Sequence, residues 1–203
     1  MKAPARAILA VLAFLAAAPA IAQSESGVTV YGGYRFGGYF TDVNTDKKWE
    51  LTEGASYALA VDLGIDQRTQ YEFFISHRNS ALKASGFSPA VDRFGLGVTY
   101  YHVGGTYFFE RVGEGGYMVG GLGLTRFVPH EAGLSSETKF SINLGVGYLV
   151  PLGKHLGIKL EARGFATVVD STGGMFCSGG CVVQIKGTTL TQGEILAGLT
   201  ARF

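Results

Sequence analysis

The sequence predicts an all-β chain: an eight-stranded antiparallel up-and-down transmembrane β-barrel. Three observations lead there. Apolar residues recur with a period of two over eight stretches, the signature of strands with two different faces. Charged residues are only 16% of the 203 residues, against about 25% in globular domains. Short and long connections alternate along the chain, as they do where strands run up and down between two unlike ends.

The first 22 residues are set apart from the fold. Lys2 and Arg6 precede an apolar run, AILAVLAFLAAA (7–18), and AIA (20–22) supplies small residues before Gln23. That layout is a secretory signal peptide, so the expected division is 1–22 signal peptide and 23–203 barrel domain. The run is too short and proline-broken for the ~20 residues of a spanning helix. Its removal takes two of the 17 basic residues and none of the 16 acids, for a net charge of −1. No basic excess points to nucleic acid. Nor is any later stretch long and apolar enough for a helical span, so a membrane is crossed by strands or not at all.

The strands follow in order. In GVTVYGGYRFGG (27–38), Val28, Val30, Tyr34 and Phe36 share one parity and Thr29, Tyr31 and Arg35 the other. ASYALAVDLGID (55–66) sets Tyr57, Leu59, Val61, Leu63 and Ile65 against Ser56, Asp62 and Asp66. YEFFISHR (71–78) sets Tyr71, Phe73 and Ile75 against Glu72, Ser76 and Arg78. GLGVTYYHVGGTYFF (95–109) changes its apolar parity around Tyr100 and Tyr101, as a bulge would. GYMVGGLGLTRF (116–127) is so rich in glycine that either face could point outward. FSINLGVGYLV (140–150) alternates cleanly, and LGIKLEARGFATV (156–168) sets Leu156, Ile158, Leu160 and Ala162 against Lys159, Glu161 and Arg163. GEILAGLTARF (193–203) puts Ile195, Ala197, Leu199, Ala201 and Phe203 on one parity. Such a pattern belongs inside a sheet, and it supplies the closing strand that must pair with the first, since open edges are not tolerated in hydrocarbon.

Alternation alone fits a soluble barrel as well, with apolar residues inside and charges in water. The polar parity here is mostly Gly, Ser, Thr and Asn with scattered charges of both signs, which suits a crowded lumen. Aromatics near strand ends (Tyr57, Tyr71, Phe109, Tyr117, Phe127, Phe140, Tyr148 and Phe203) are expected at the two headgroup levels. The short connections are placed near 66–70, 110–115 and 151–155. The long polar ones fall near 41–53, 79–94, 129–138 and 170–187.

TYFFERVGEGGYMVGGLGLTRF (106–127), the alternating last strand and its final Phe resemble the outer-membrane β-barrel family, whose familiar members include the small protein A- and protein X-type barrels. The resemblance spans essentially the whole processed chain, is specific for fold, and is weak for function. It implies residence in the outer membrane of a Gram-negative cell among its lipid and lipopolysaccharide. It also implies insertion by the barrel-assembly machinery, with Phe203 as the terminal aromatic of the assembly signal. A monomer is expected.

Eight strands leave a lumen just wide enough for side chains to fill it. Arg35, Asp62, Glu72, Lys159, Glu161, Arg163 and Glu194, with Arg202, fall on the inward parity. Buried charges need partners, so these residues are predicted to form a lumen charge network that rigidifies the barrel. Cys177 and Cys181, in CSGGC within the longest connection, read as a disulfide contributing roughly 2 kcal/mol by chain-entropy arithmetic. No cofactor or metal is expected: HEAGL (130–134) has Leu134 where a zinc motif needs its second His, and no nucleotide or nucleophile-elbow motif occurs.

The leading functional reading is a structural or surface-interaction role carried by four long extracellular loops, with an unidentified extracellular ligand. The alternative is a narrow channel for ions or small hydrophobic solutes. A lipid-modifying enzyme centred on His102 is the third reading, with no Ser near it in sequence.

Overall fold

A computed structural model describes residues 25–42, 48–84, 93–130, 133–169, 174–175, 183–186 and 189–203. Eight long antiparallel strands close a barrel: β1 (Gly27–Phe36), β4 (Gly54–Gly64), β5 (Thr69–Ala84), β6 (Arg93–Phe108), β7 (Gly115–Pro129), β8 (Glu137–Pro151), β9 (Leu156–Val168) and β12 (Thr189–Arg202). Each pairs with its neighbour in sequence, and β1 pairs with β12 from Gly27↔Arg202 to Phe36↔Gly193. Ser26 and Phe203 finish the seam with reciprocal backbone hydrogen bonds of 3.1 and 2.9 Å. Ser26 and Phe203 therefore lie at the end of the barrel that carries the three short turns, here the turn end.

Four further strands stand at the other, loop end: β2 (Tyr39–Asp42), β3 (Lys48–Leu51), β10 (Gly174–Met175) and β11 (Val183–Lys186). They correct the predicted connections. The stretch 41–53 is no plain loop, because β2 and β3 pair with each other and extend the β1–β4 hairpin. Gly37 and Gly38, at φ 75° and 98°, turn the chain from β1 into β2 through the left-handed region that glycine enters freely. β3 also pairs with β5, and β11 with β2. The stretch 79–94 shrinks as well, since β5 runs on to Ala84 and β6 starts at Arg93. Cys177 and Cys181 lie outside the described residues.

The apolar parity faces out. Val30, Tyr57 and Leu144 are 64%, 71% and 70% exposed, while the opposite parity of the same strands holds Arg35, Asp62 and Asn143, all buried. A chain in water would invert that arrangement; in a bilayer it leaves acyl chains against the outer wall. One outward row runs unbroken across five strands: Leu59↔Ile75↔Tyr101↔Leu124↔Phe140.

Two phases that the sequence leaves open are decided here, and one expectation fails. Strand β6 keeps one phase throughout, with no bulge in its pairing to β5 or β7. Leu96, Val98, Tyr100, His102, Thr106 and Phe108 all point inward, and Tyr101, Val103 and Tyr107 point outward. The apparent change of parity arises because inward residues near the loop end are themselves apolar. In β7, Tyr117, Val119, Thr125 and Phe127 point inward. Tyr117 and Phe127 therefore do not belong to the outer aromatic rings. Tyr57, Tyr71, Phe109, Phe140, Tyr148 and Phe203 are exposed on the outside.

Candidate functional site: the filled lumen

Strand β9 sets Lys159, Glu161 and Arg163 on one face because alternate residues of a strand share a side. In the turn-end half of the lumen, Lys159 Nζ donates to Asp62 Oδ2 at 2.6 Å. Above it, Arg163 grips Glu72 with both terminal nitrogens, at 2.8 and 2.6 Å, and its Nε donates to Glu161. Glu161 also accepts hydrogen bonds from the hydroxyls of Tyr117 at 2.8 Å and Tyr31 at 3.4 Å. The bidentate fork suits a planar guanidinium and adds direction as well as charge. The Arg163 guanidinium carbon lies 3.8 Å from the centre of the Phe74 ring. Tyr117 reaches the cluster by lying across Gly147, where an added Cβ would meet the ring at 2.3 Å.

The loop-end half is built differently. Arg35 and Glu194 face each other across the β1–β12 seam and are bridged at 3.0 Å. Arg35 donates to Ser76 and, at 3.3 Å, to the carbonyl of Val98. The Ser76 hydroxyl donates to Glu194 at 2.9 Å. The guanidinium then covers a stack of rings. It lies 4.6 Å from the Tyr100 ring centre, and Tyr100 stacks on Phe165 at 4.1 Å with 12° between planes. Phe165 continues onto Phe74. Leu96, Val98, Phe127, Val169, Leu190 and Leu51 complete an apolar layer about these rings. Side chains thus span the lumen at two heights.

The remaining inward residues are informative, among them Arg202, expected in the network, which does not join it. Arg78, 3% exposed, donates to the backbone carbonyl of Arg35 at 2.9 Å; its parity with Glu72 and Ser76 is legible in the sequence. Arg202 instead caps the turn end, donating to Glu25, to the carbonyl of Gly113 and to that of Gly153 at 3.0, 3.0 and 2.6 Å. His102 finds a serine after all: Ser141 Oγ lies 3.0 Å from its Nε2, brought there by the strand ladder across 39 residues. Both are buried on the lumen side of the wall, and His102 Nδ1 has no hydrogen-bond partner among the described residues. A serine activated for attack needs a base oriented by a third group and a reachable substrate. This pair faces away from the bilayer, and Nδ1 meets no orienting carboxylate among the described residues. Asn143 on β8 and Thr106 on β6 likewise keep buried side-chain atoms without partners among the described residues.

Comparison with known proteins agrees with this architecture. The family model described as outer membrane protein beta-barrel domain matches residues 7–203. No curated protein matches in sequence. Among solved structures, the chain is similar to the outer membrane protein OprG of Pseudomonas aeruginosa, at 10% identity and a TM-score of 0.58, covering 89% of this chain and 96% of that one. It is similar to Neisserial surface protein A at 12% identity and 0.55, covering 88% and 97%. The third is the outer membrane protein AlkL, solved in lipid bilayers, at 15% and 0.53, covering 92% and 93%. At these identities the likeness speaks for fold alone.

Proposed function

This chain belongs to the outer membrane protein beta-barrel domain family, and from that premise we propose that it is a non-conducting barrel of a Gram-negative outer membrane whose work is done at its loop end. One observation carries the reading: the lumen is occupied at two heights by ion pairs and stacked rings. A route for hydrated ions would have to break buried pairs, and separating one partner of such a pair costs about 3–5 kcal/mol. What remains for function is the exposed rim. There β2 and β3 prolong the wall beyond the first hairpin, and β11 pairs onto β2. In this reading the turn end faces the periplasm, and the loop end presents a surface to lipopolysaccharide and to an extracellular ligand. Phe203 and its strand serve the assembly machinery, and the barrel works as a monomer.

Two measurements test it. Refolded protein in a planar bilayer should show no discrete conductance, and deletion of residues 170–187 should weaken binding to cells or lipopolysaccharide while heat-modifiable mobility on gels is kept. Steady single-channel steps from the intact protein overturn the non-conducting reading. A specific observation favours the channel as the second reading. The unpartnered atoms of Thr106, Asn143 and His102 lie along the β6–β8 wall, where ordered water would pass beside the plug. Incubation with outer-membrane lipid followed by mass spectrometry tests the enzyme reading, in which alanine at His102 abolishes any new lipid species.

A further inference from the structure

Directly above the apolar row Leu59–Ile75–Tyr101–Leu124–Phe140, the next outward row has a different chemistry. It runs Tyr57↔His77↔Thr99↔Arg126↔Thr138 on the same five strands. Every member carries a hydrogen-bonding group, where no member of the row below carries a charge. His77 Nδ1 and Thr99 Oγ1 lie 2.8 Å apart, so these side chains line up along the wall. Arg126 is exposed on the outside of the barrel and has no ion-pair partner among the described residues. It is also the one fixed charge on the outward positions of the eight barrel strands whose side chains are described.

A lone guanidinium one row above hydrocarbon sits at the depth of lipid headgroups. Below it, the β6–β7 seam descends through Tyr101↔Leu124 and Val103↔Leu122 to the paired glycines Gly105↔Gly120. The four larger residues are exposed, and a Cβ built on Gly120 meets nothing nearer than 3.5 Å. The seam is thus an apolar track that ends in a shallow notch, topped by a fork of donors.

We propose that Arg126, with Thr99, Thr138 and His77 beside it, binds the phosphate of a phosphorylated lipid of the outer leaflet, whose acyl chain lies down the β6–β7 seam. The chemistry fits on three counts. A guanidinium presents paired donors that match phosphate oxygens. Neighbouring strands are about 4.8 Å apart, so the hydroxyls of Thr99 and Thr138 flank it at the reach of one phosphate group. Each basic side chain at such a surface raises affinity for anionic lipid about fivefold. The apolar track favours a lipid over a free phosphate. The proposal rests on the reading that the loop end meets the outer leaflet, and it is independent of whether the lumen conducts.

The test is native mass spectrometry of detergent-refolded protein with bisphosphorylated lipid A, with dephosphorylated lipid A, and with inorganic phosphate alone. The intact protein should retain the bisphosphorylated lipid, the dephosphorylated lipid should bind about fivefold more weakly or worse, and inorganic phosphate should leave no adduct. Arg126→Gln should lose the preference for phosphate, Arg126→Lys should keep part of it, and Thr99→Val serves as a second variant should Arg126→Gln fail to show the mobility shift of a folded barrel. Equal retention of both lipids by the intact protein overturns the proposal, as does an undiminished preference in Arg126→Gln. Phosphate adducts without lipid assign the site to a free anion and overturn the lipid.

Discussion

The two halves of the lumen fill the same width with different materials. The turn-end half is ionic: Lys159 with Asp62, and Arg163 with two carboxylates at once. The loop-end half sets its buried ion pair, Arg35 with Glu194, against a stack of rings and an apolar layer. Both are enclosed by the same apolar outer wall, so the bilayer does not dictate the choice. The contrast shows that inward does not mean polar in a barrel of this size. Inward means only that a residue must be satisfied by other inward residues, and close packing satisfies Phe165 as well as a bidentate fork satisfies Glu72.

The sharpest way to break this contrast is to remove the cation of the ionic half. Arg163→Met leaves Glu72 and Glu161 buried without their shared guanidinium, and should destabilise the folded barrel by about 3–5 kcal/mol, read as the urea midpoint of the shift in gel mobility. A loss below about 1 kcal/mol would show that the carboxylates find water, and that the turn-end half is wet. Next comes Phe165→Ala in the ring stack. It removes the surface between Tyr100 and Phe74 and should cost about 3 kcal/mol. Because no charge changes, the loss should be the same at pH 5 and pH 8; a pH-dependent loss would mean the stack acts through His102, whose ring centre lies 5.7 Å from that of Phe165.

Smallest is the effect of a turn, which sets the scale for a site outside both halves. Asp66 accepts hydrogen bonds from the amides of Arg68 and Thr69 at 2.7 and 2.8 Å, and chiefly the Arg68 amide holds its carboxyl below the ordinary value. A group held lower in the folded state stabilises above its unfolded value, near 3.9, and that contribution fades as pH falls further. Asp66→Ala should therefore lower the midpoint slightly at pH 7 and by less at pH 3. An equal drop at both would assign the effect to backbone entropy.

Much of this was legible beforehand, for reasons that differ along the chain. Strands β8 and β9 read cleanly because most of their outward residues are apolar while their inward ones, Leu149 and Phe165 apart, are small, polar or charged, so parity alone sets the phase. Strand β6 misleads because Leu96, Val98 and Tyr100 belong to the apolar layer, and an apolar residue on the inward side looks like a slipped register. In β7, glycines at 120, 121 and 123 erase the contrast on which parity depends. The candidate site is legible to a different depth. The parity of Arg35 or Glu72 can be read from the strand, but not that Arg163 takes Glu72, or that Ser141 meets His102. Those partners depend on strand stagger around a closed ring, a property of the whole barrel. The short strands β2 and β3 were hidden for a simpler reason: four residues are too few for a period to declare itself.

The seam between β1 and β12 has a kinetic consequence. Gly27 meets Arg202, so the ring shuts only when two segments far apart in the chain find each other, and contacts so remote form slowly. Until then two unsatisfied strand edges are on offer to any neighbouring chain. A nascent copy of this protein is therefore most prone to clumping before it reaches its bilayer, and its yield in the cell should depend on whatever escorts it there.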